Sequence, residues 1–196
     1  MDALKEADIE IVLWLNQWVG KYGPLDQLFE LLVSDYFIPV LLALSLLWLW
    51  FSARDPESRQ ASQQAVLTAI VALGFANLAV LLINDHYFRA RPFTEADLNL
   101  LFYRPTDSSF PANPAALSFA LAFGVWQSRS AVGAVLLVMA ALWSLSRVYA
   151  GVFYLSDVAA GAAIGVTIAY TMKFFLRWLE PLPTLVIRIG RAMHLA

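Results

Sequence analysis

The chain is 196 residues long, 60% hydrophobic and only 14% charged, with a mean hydropathy of +0.65. Soluble domains carry about 25% charged residues, so an ordinary soluble fold is excluded. A formal net charge of -2 gives no pull towards nucleic acid. The absence of cysteine excludes disulfides and thiol chemistry.

The apolar residues fall in blocks of about eighteen or more, which reads as a polytopic α-helical membrane protein of one domain. The acidic start, with Asp2, Glu6 and Asp8, lacks the basic n-region of a cleaved signal peptide. Residues 4–20 place Ile9, Val12, Leu13 and Trp18 on one helical face, predicting an interfacial helix with Trp14 and Trp18 at headgroup level. Gly20 and Gly23-Pro24 end it, and residues 25–34 predict a second amphipathic piece. Membrane spans are predicted over 35–52, 63–83, 113–126, 132–148 and 158–175, with a short polar loop at 54–59 and a long loop at 84–112. The tail is amphipathic, with Arg188 and Arg191 on its polar side, and is expected to lie on the surface. The fold class that follows is all-α. Its membrane bundle of five to six helices spans 35–178, between interfacial segments at 1–34 and 179–196.

Five spans put the N-terminus, the 84–112 loop and the 149–157 turn on one side. That side carries Lys5, Lys21, Arg89, Arg91, Arg104 and Arg147, six basic residues against seven on the other, but twelve of the fifteen acids. With Arg91 and Arg147 set aside as site residues, the positive-inside rule places the long loop outside and the C-terminus inside.

Three stretches put polar and charged residues at the edge of hydrocarbon, where they are costly and usually kept for a site. The first is Asn84-Asp85-His86-Tyr87-Phe88-Arg89-Ala90-Arg91-Pro92. The second is Ser109-Phe110-Pro111-Ala112-Asn113-Pro114-Ala115. The third runs from Ser146-Arg147 to Asp157. In order, spacing and placement at helix ends they resemble the three signature motifs of the type 2 phosphatidic acid phosphatase and vanadium haloperoxidase superfamily. The resemblance covers roughly residues 25–178. It implies a membrane phosphatase scaffold acting on lipid phosphates.

The same resemblance shows what is missing. In active members six residues separate a lysine from Arg-Pro, and Asn84 holds the lysine's place before Arg91-Pro92. The second motif, Pro-Ser-Gly-His, reads here Pro111-Ala112-Asn113-Pro114. In the third, Ser146, Arg147 and Asp157 match, but Phe153 stands where the histidine nucleophile would be. Phenylalanine has no lone pair with which to attack phosphorus. Proline at 114 cannot protonate a leaving oxygen. Asn84 offers a dipole in place of a charge, and Ala112 has no hydroxyl. The remaining histidines, His86 and His194, lie outside the motif register, and His86 reads as an interfacial polar residue.

Structural roles account for part of this. Asn113 before Pro114 reads as an N-cap followed by a proline at the first helical position. Phe153 and Tyr154 read as packing or interface-belt aromatics. Two readings remain for Arg91, Arg147 and Asp157. The arginines, with Asn84 and Ser146, form a remnant phosphate clamp, or an Arg–Asp pair closes the helix ends, with Pro92, Pro111 and Asn113 as structural supports. No cluster has metal-ligand spacing, and neither a metal nor a cofactor is expected. The leading expectation is a pseudoenzyme that binds a lipid phosphate headgroup or serves as a subunit of a membrane complex. A phosphatase with a rearranged site and a transporter of phosphorylated lipid carriers are the alternatives. The expected partners are membrane lipids, phosphorylated lipid among them, or a protein.

Overall fold

Asp55-Pro56-Glu57 is a strong helix start: an acceptor side chain, a proline with no amide proton to lose, and an acid at the positive end of the dipole. In the computed structural model, which describes residues 2–53 and 55–192, the Asp55 carboxylate accepts from the Ser58 amide at 2.8 Å and starts the longest helix. The polar loop expected at 54–59 is therefore mostly the first turn of that helix. The described residues form α1 (Asp2–Asn16), α2 (Gly23–Val33), α3 (Phe37–Ser52), α4 (Pro56–His86), α5 (Pro92–Glu95), α6 (Asn113–Trp126), α7 (Ser130–Tyr149), α8 (Leu155–Trp178) and α9 (Leu182–Ala192).

The protein is thus an all-helical membrane protein, and each of the five predicted apolar segments is a helix. α4, α7 and α8 are each long and apolar enough to cross a bilayer. α2 and α3 pass that test only together, bent by 52° at Ser34-Asp35-Tyr36. α6, at 14 residues, is shorter. The N-terminal segment is more than interfacial. Trp14 and Trp18 are exposed as expected, but Asp8, Val12, Asn16 and Val33 are buried. The Asn16 side chain clamps Asn99, donating to its carbonyl at 2.8 Å and accepting from its amide at 2.9 Å. α1 is therefore tied to the long loop.

α6 sits at the centre, packed by α4, α7 and α8. Three helices can approach it closely because the facing residues are small, the means by which membrane helices gain packing without a hydrophobic drive. On α4, Ala65, Ala69, Ala72 and Ala76 are fully buried, and Gly124 of α6 lies against Ala69. On α8, Gly161 and Gly165 lie so close to α6 that a Cβ at either would fall 2.4 Å from the Ala112 carbonyl oxygen or 2.3 Å from that of Ala116. Those atoms are backbone and cannot swing aside.

Gly165→Leu is expected to force α8 off α6 and to cost about 3 kcal/mol, at the upper end of overpacking penalties. Gly74→Leu, whose Cβ would meet nothing within 4 Å, is the control. Reversible unfolding in mixed detergent, comparing the two variants, measures the difference.

Candidate functional site

The α6–α8 contact places the three polar stretches at one end of the bundle. Backbone bonds join them. The Ser109 amide donates to the Arg89 carbonyl at 2.9 Å, linking the first stretch to the second. The Ala112 amide donates to the Asp157 carbonyl at 3.1 Å, linking the second to the third. That bond holds Ala112 in an extended conformation, so α6 begins at Asn113, where the predicted span begins, but its cap is not Asn113. Ala112 takes the N-cap position and Asn113 is already helical. The Asn113 side-chain oxygen is buried and caps nothing, as is that of Asn84 in the last turn of α4. Pro92 opens α5, and Pro92 and Pro111 are buried in the loop. His86 is exposed on α4, bonded to its own Leu82 carbonyl. His194 lies outside the described residues.

Asp157 has no histidine to orient, and the expected exchange was a pairing with Arg91 or Arg147. The structure gives it to Arg89 instead. The Arg89 guanidinium donates to Asp157 and, at 2.8 Å, to Asp8 of α1. It also donates to Ser156 Oγ at 2.8 Å and lies 4.0 Å above the Tyr154 ring. Asp8 completes the arrangement at the start of α8, accepting from the Ser156 amide at 3.1 Å, where the helix dipole favours an anion. Asp157 is fully buried and takes a second bond from Ser109 Oγ. Burial works to lower the Arg89 pKa, but the bond to Asp8 and the charge of Asp157 outweigh it and the net shift is upward. Sequence reasoning missed Arg89, Asp8 and Ser109. The available signal was a second arginine two residues before Arg91 in the same motif, with no role assigned.

Arg91 is buried and each of its three side-chain nitrogens is hydrogen-bonded. Nε bonds the Asp107 carbonyl at 3.0 Å, Nη2 the Asp107 carboxylate at 2.9 Å, and Nη1 the Val152 carbonyl at 3.1 Å. Its guanidinium lies 4.3 Å from the centre of the Phe153 ring. The ring in the nucleophile's place is thus a platform for an arginine, and it is buried, as is Tyr154, so neither belongs to an interface belt. Burial holds the Arg91 pKa below its usual value, Asp107 opposes this, and nearby Arg147 adds to it.

Arg147 ion-pairs with Asp35 at the α2–α3 elbow and stacks on Phe102 at 4.2 Å. Tyr103 OH donates to the other Asp35 oxygen at 3.2 Å, and Trp143 Nε1 to the Ser34 carbonyl at 3.1 Å, so α7 holds the elbow twice. The Arg147 Nε is buried with no hydrogen-bond partner. Ser146 turns into its own helix, donating to the Trp143 carbonyl at 2.7 Å. Arg91 and Arg147 do come together on the 150–153 turn, whose Val152 amide bonds the Arg147 carbonyl at 3.0 Å while its carbonyl takes Arg91.

Chemically this end of the bundle holds charge, with Phe153 and Pro114 at the two positions where the family motifs carry histidine. Ser109, fully buried and bonded to Asp157, has no access to a substrate. Tyr154 OH donates to Glu95 at 2.8 Å, and burial pushes its pKa well up. Among the described residues no group of three His, Asp or Glu is placed to hold a metal ion. Arg89→Ala should strand two buried carboxylates and cost about 3–5 kcal/mol. Arg104→Ala, at an exposed side chain, should cost nothing measurable. Thermal unfolding in detergent reads both.

Comparison with known proteins agrees with this geometry. The model of the PAP2 superfamily matches residues 65–180. The chain is 28% identical over 180 residues to the bacitracin transport permease protein BcrC of Bacillus licheniformis, covering 91% of this chain and 83% of that one. It is 28% identical over 161 residues to the undecaprenyl-diphosphatase BcrC of Bacillus subtilis strain 168, covering 82% and 80%. The crystal structure of a transmembrane PAP2-type phosphatidylglycerolphosphate phosphatase from Bacillus subtilis superposes with a TM-score of 0.64 at 20% identity over 92% of this chain and 90% of that one, a likeness of fold. Three motif stretches meeting at one end of an α6-centred bundle, and a family match over most of that bundle, make this chain a member of the PAP2 superfamily, a lipid-phosphatase-like integral membrane protein.

Proposed function

We propose that the protein is a non-hydrolysing PAP2 member that acts in the membrane by binding, as a scaffold or subunit of a membrane complex, with its former phosphate site closed from within. The observation that carries this is a charge count. Three guanidiniums, Arg89, Arg91 and Arg147, face four carboxylates, Asp8, Asp35, Asp107 and Asp157. A phosphate site needs surplus positive charge, and this cluster has none to offer. Phe153 and Pro114 stand where the nucleophile and the general acid would be, so the covalent route has neither participant. In this reading the motif end faces the extracytoplasmic side, following the distribution of basic residues.

A second reading keeps the headgroup. The buried, unpartnered Arg147 Nε favours it, as do the partly exposed side chains of Asp35 and Asp107, at 43% and 63%. A lipid diphosphate, the substrate class in the name of the Bacillus subtilis relative, could replace those two carboxylates and be held without being cleaved.

Two measurements separate these possibilities. The purified protein should release no phosphate from undecaprenyl diphosphate or phosphatidic acid above a detergent blank. Release that disappears in Arg147→Ala would mean an active enzyme. Pyrophosphate should leave the melting temperature of the natural chain unchanged. In Asp35→Asn/Asp107→Asn the cluster gains a net positive charge, and pyrophosphate should then stabilise it. At one hundred times the dissociation constant the gain is about 2.7 kcal/mol. Stabilisation of the natural chain to that extent would select the headgroup-binding reading.

A further inference from the structure

The opposite end of the bundle has the reverse electrostatics. Lys173 lies 16 residues beyond Asp157 on α8, about 24 Å along the axis. A cavity of about 120 Å³ opens there between α4, α8 and the turn into α9, lined by Gln64, Lys173, Arg177 and Glu180 with Leu67 and Leu176. At the motif end each buried arginine has a carboxylate. Here neither cation does. The Lys173 ammonium donates to the Gln127 carbonyl at 2.7 Å, which uses one of its three protons and fixes it at the end of α6. The Arg177 side chain makes no ion pair or hydrogen bond among the described residues. It follows Lys173 by four positions, the spacing at which like charges repel on a helix. Glu180 lines the same cavity and pairs with neither.

The cavity also sits at a set depth. α9 leaves it directly and packs on α4, with Ile187 buried. Leu182, Leu185, Val186 and Ile189, at helical spacing, form an exposed apolar stripe, with Arg188 to one side. That is the pattern of a helix lying in the plane of the interface. It brings Lys173 and Arg177 to headgroup level, with Leu67 and Leu176 beside them.

We infer that this cavity is a binding site for the phosphate of an anionic glycerophospholipid drawn from the leaflet in which α9 lies. A shared phosphate relieves the repulsion between Lys173 and Arg177 and takes their free donors, while the leucines meet the start of the acyl chains. The site uses no residue of the motif end and does not depend on how that end works.

Native mass spectrometry of the full chain in detergent, offered phosphatidylglycerol and phosphatidylcholine with matched acyl chains, tests this. Phosphatidylglycerol should be retained in preference. Arg177→Gln, at an exposed and unpaired position that does not threaten the fold, should lower its retention about tenfold, the scale of one lost charge-assisted hydrogen bond. Glu180→Gln, which removes a carboxylate that repels the phosphate from the same cavity, should raise it. Equal retention of the two lipids, or retention unchanged in both variants, overturns the inference. Displacement of the lipid by millimolar inorganic phosphate would overturn its assignment to a lipid.

Discussion

The backbone-to-backbone approach of α6 and α8 is the constraint on which the rest of this protein depends. Gly161 and Gly165 let α8 touch the carbonyls of Ala112 and Ala116. That contact sets Asp157 beneath the start of α6, where its carbonyl bonds Ala112 and its carboxylate meets Ser109. Arg89 can then reach Asp157 and Asp8 together, which draws α1 across the end of the bundle. A side chain at either glycine would disturb helix packing and charge placement alike, because both pass through the same few atoms.

An arginine beside hydrocarbon must be compensated by something that stays. At the motif positions of this chain the carboxylates come from the chain itself. Arg89 lies on Tyr154, Arg91 on Phe153 and Arg147 on Phe102, and each also meets a carboxylate of the chain itself. Aromatic face and carboxylate together compensate most of each guanidinium, the Arg147 Nε being the donor left over. Such a cluster holds α1, the long loop and the α2–α3 elbow in register at this end of the bundle.

Much of this could be read from the chain. The five apolar segments, the convergence of three polar stretches and the empty histidine positions all follow from residue type and order, since span length and motif spacing are local properties. The partners of the arginines could not be read. Asp35 lies 112 residues from Arg147, and Asp8 lies 81 from Arg89. No local pattern marks such pairs, which exist because α1 and the α2–α3 elbow fold over the motif end. The capping residue of α6 could not be read for a related reason. Asn113-Pro114 has the local form of a cap, but the bond that the Ala112 amide donates to the distant Asp157 carbonyl makes Ala112 the cap. Arg59 and its neighbours were read as a loop because their polarity masked the Asp55-Pro56 start signal.

The shortness of α6 bears on the route any ligand must take. Its 14 residues rise about 21 Å, against roughly 30 Å of hydrocarbon in a typical bilayer. Enclosed by α4, α7 and α8, it has no need to reach water at either end. A shortfall of about 9 Å sets one or both of its ends below the plane of the headgroups. If the recessed end is the one at Ala112, the floor of the motif end lies within the leaflet, at the level of the first carbons of the lipid tails. A molecule arriving there would come sideways through the bilayer, head leading, between helices, and a soluble solute would have to descend through the loops to meet it.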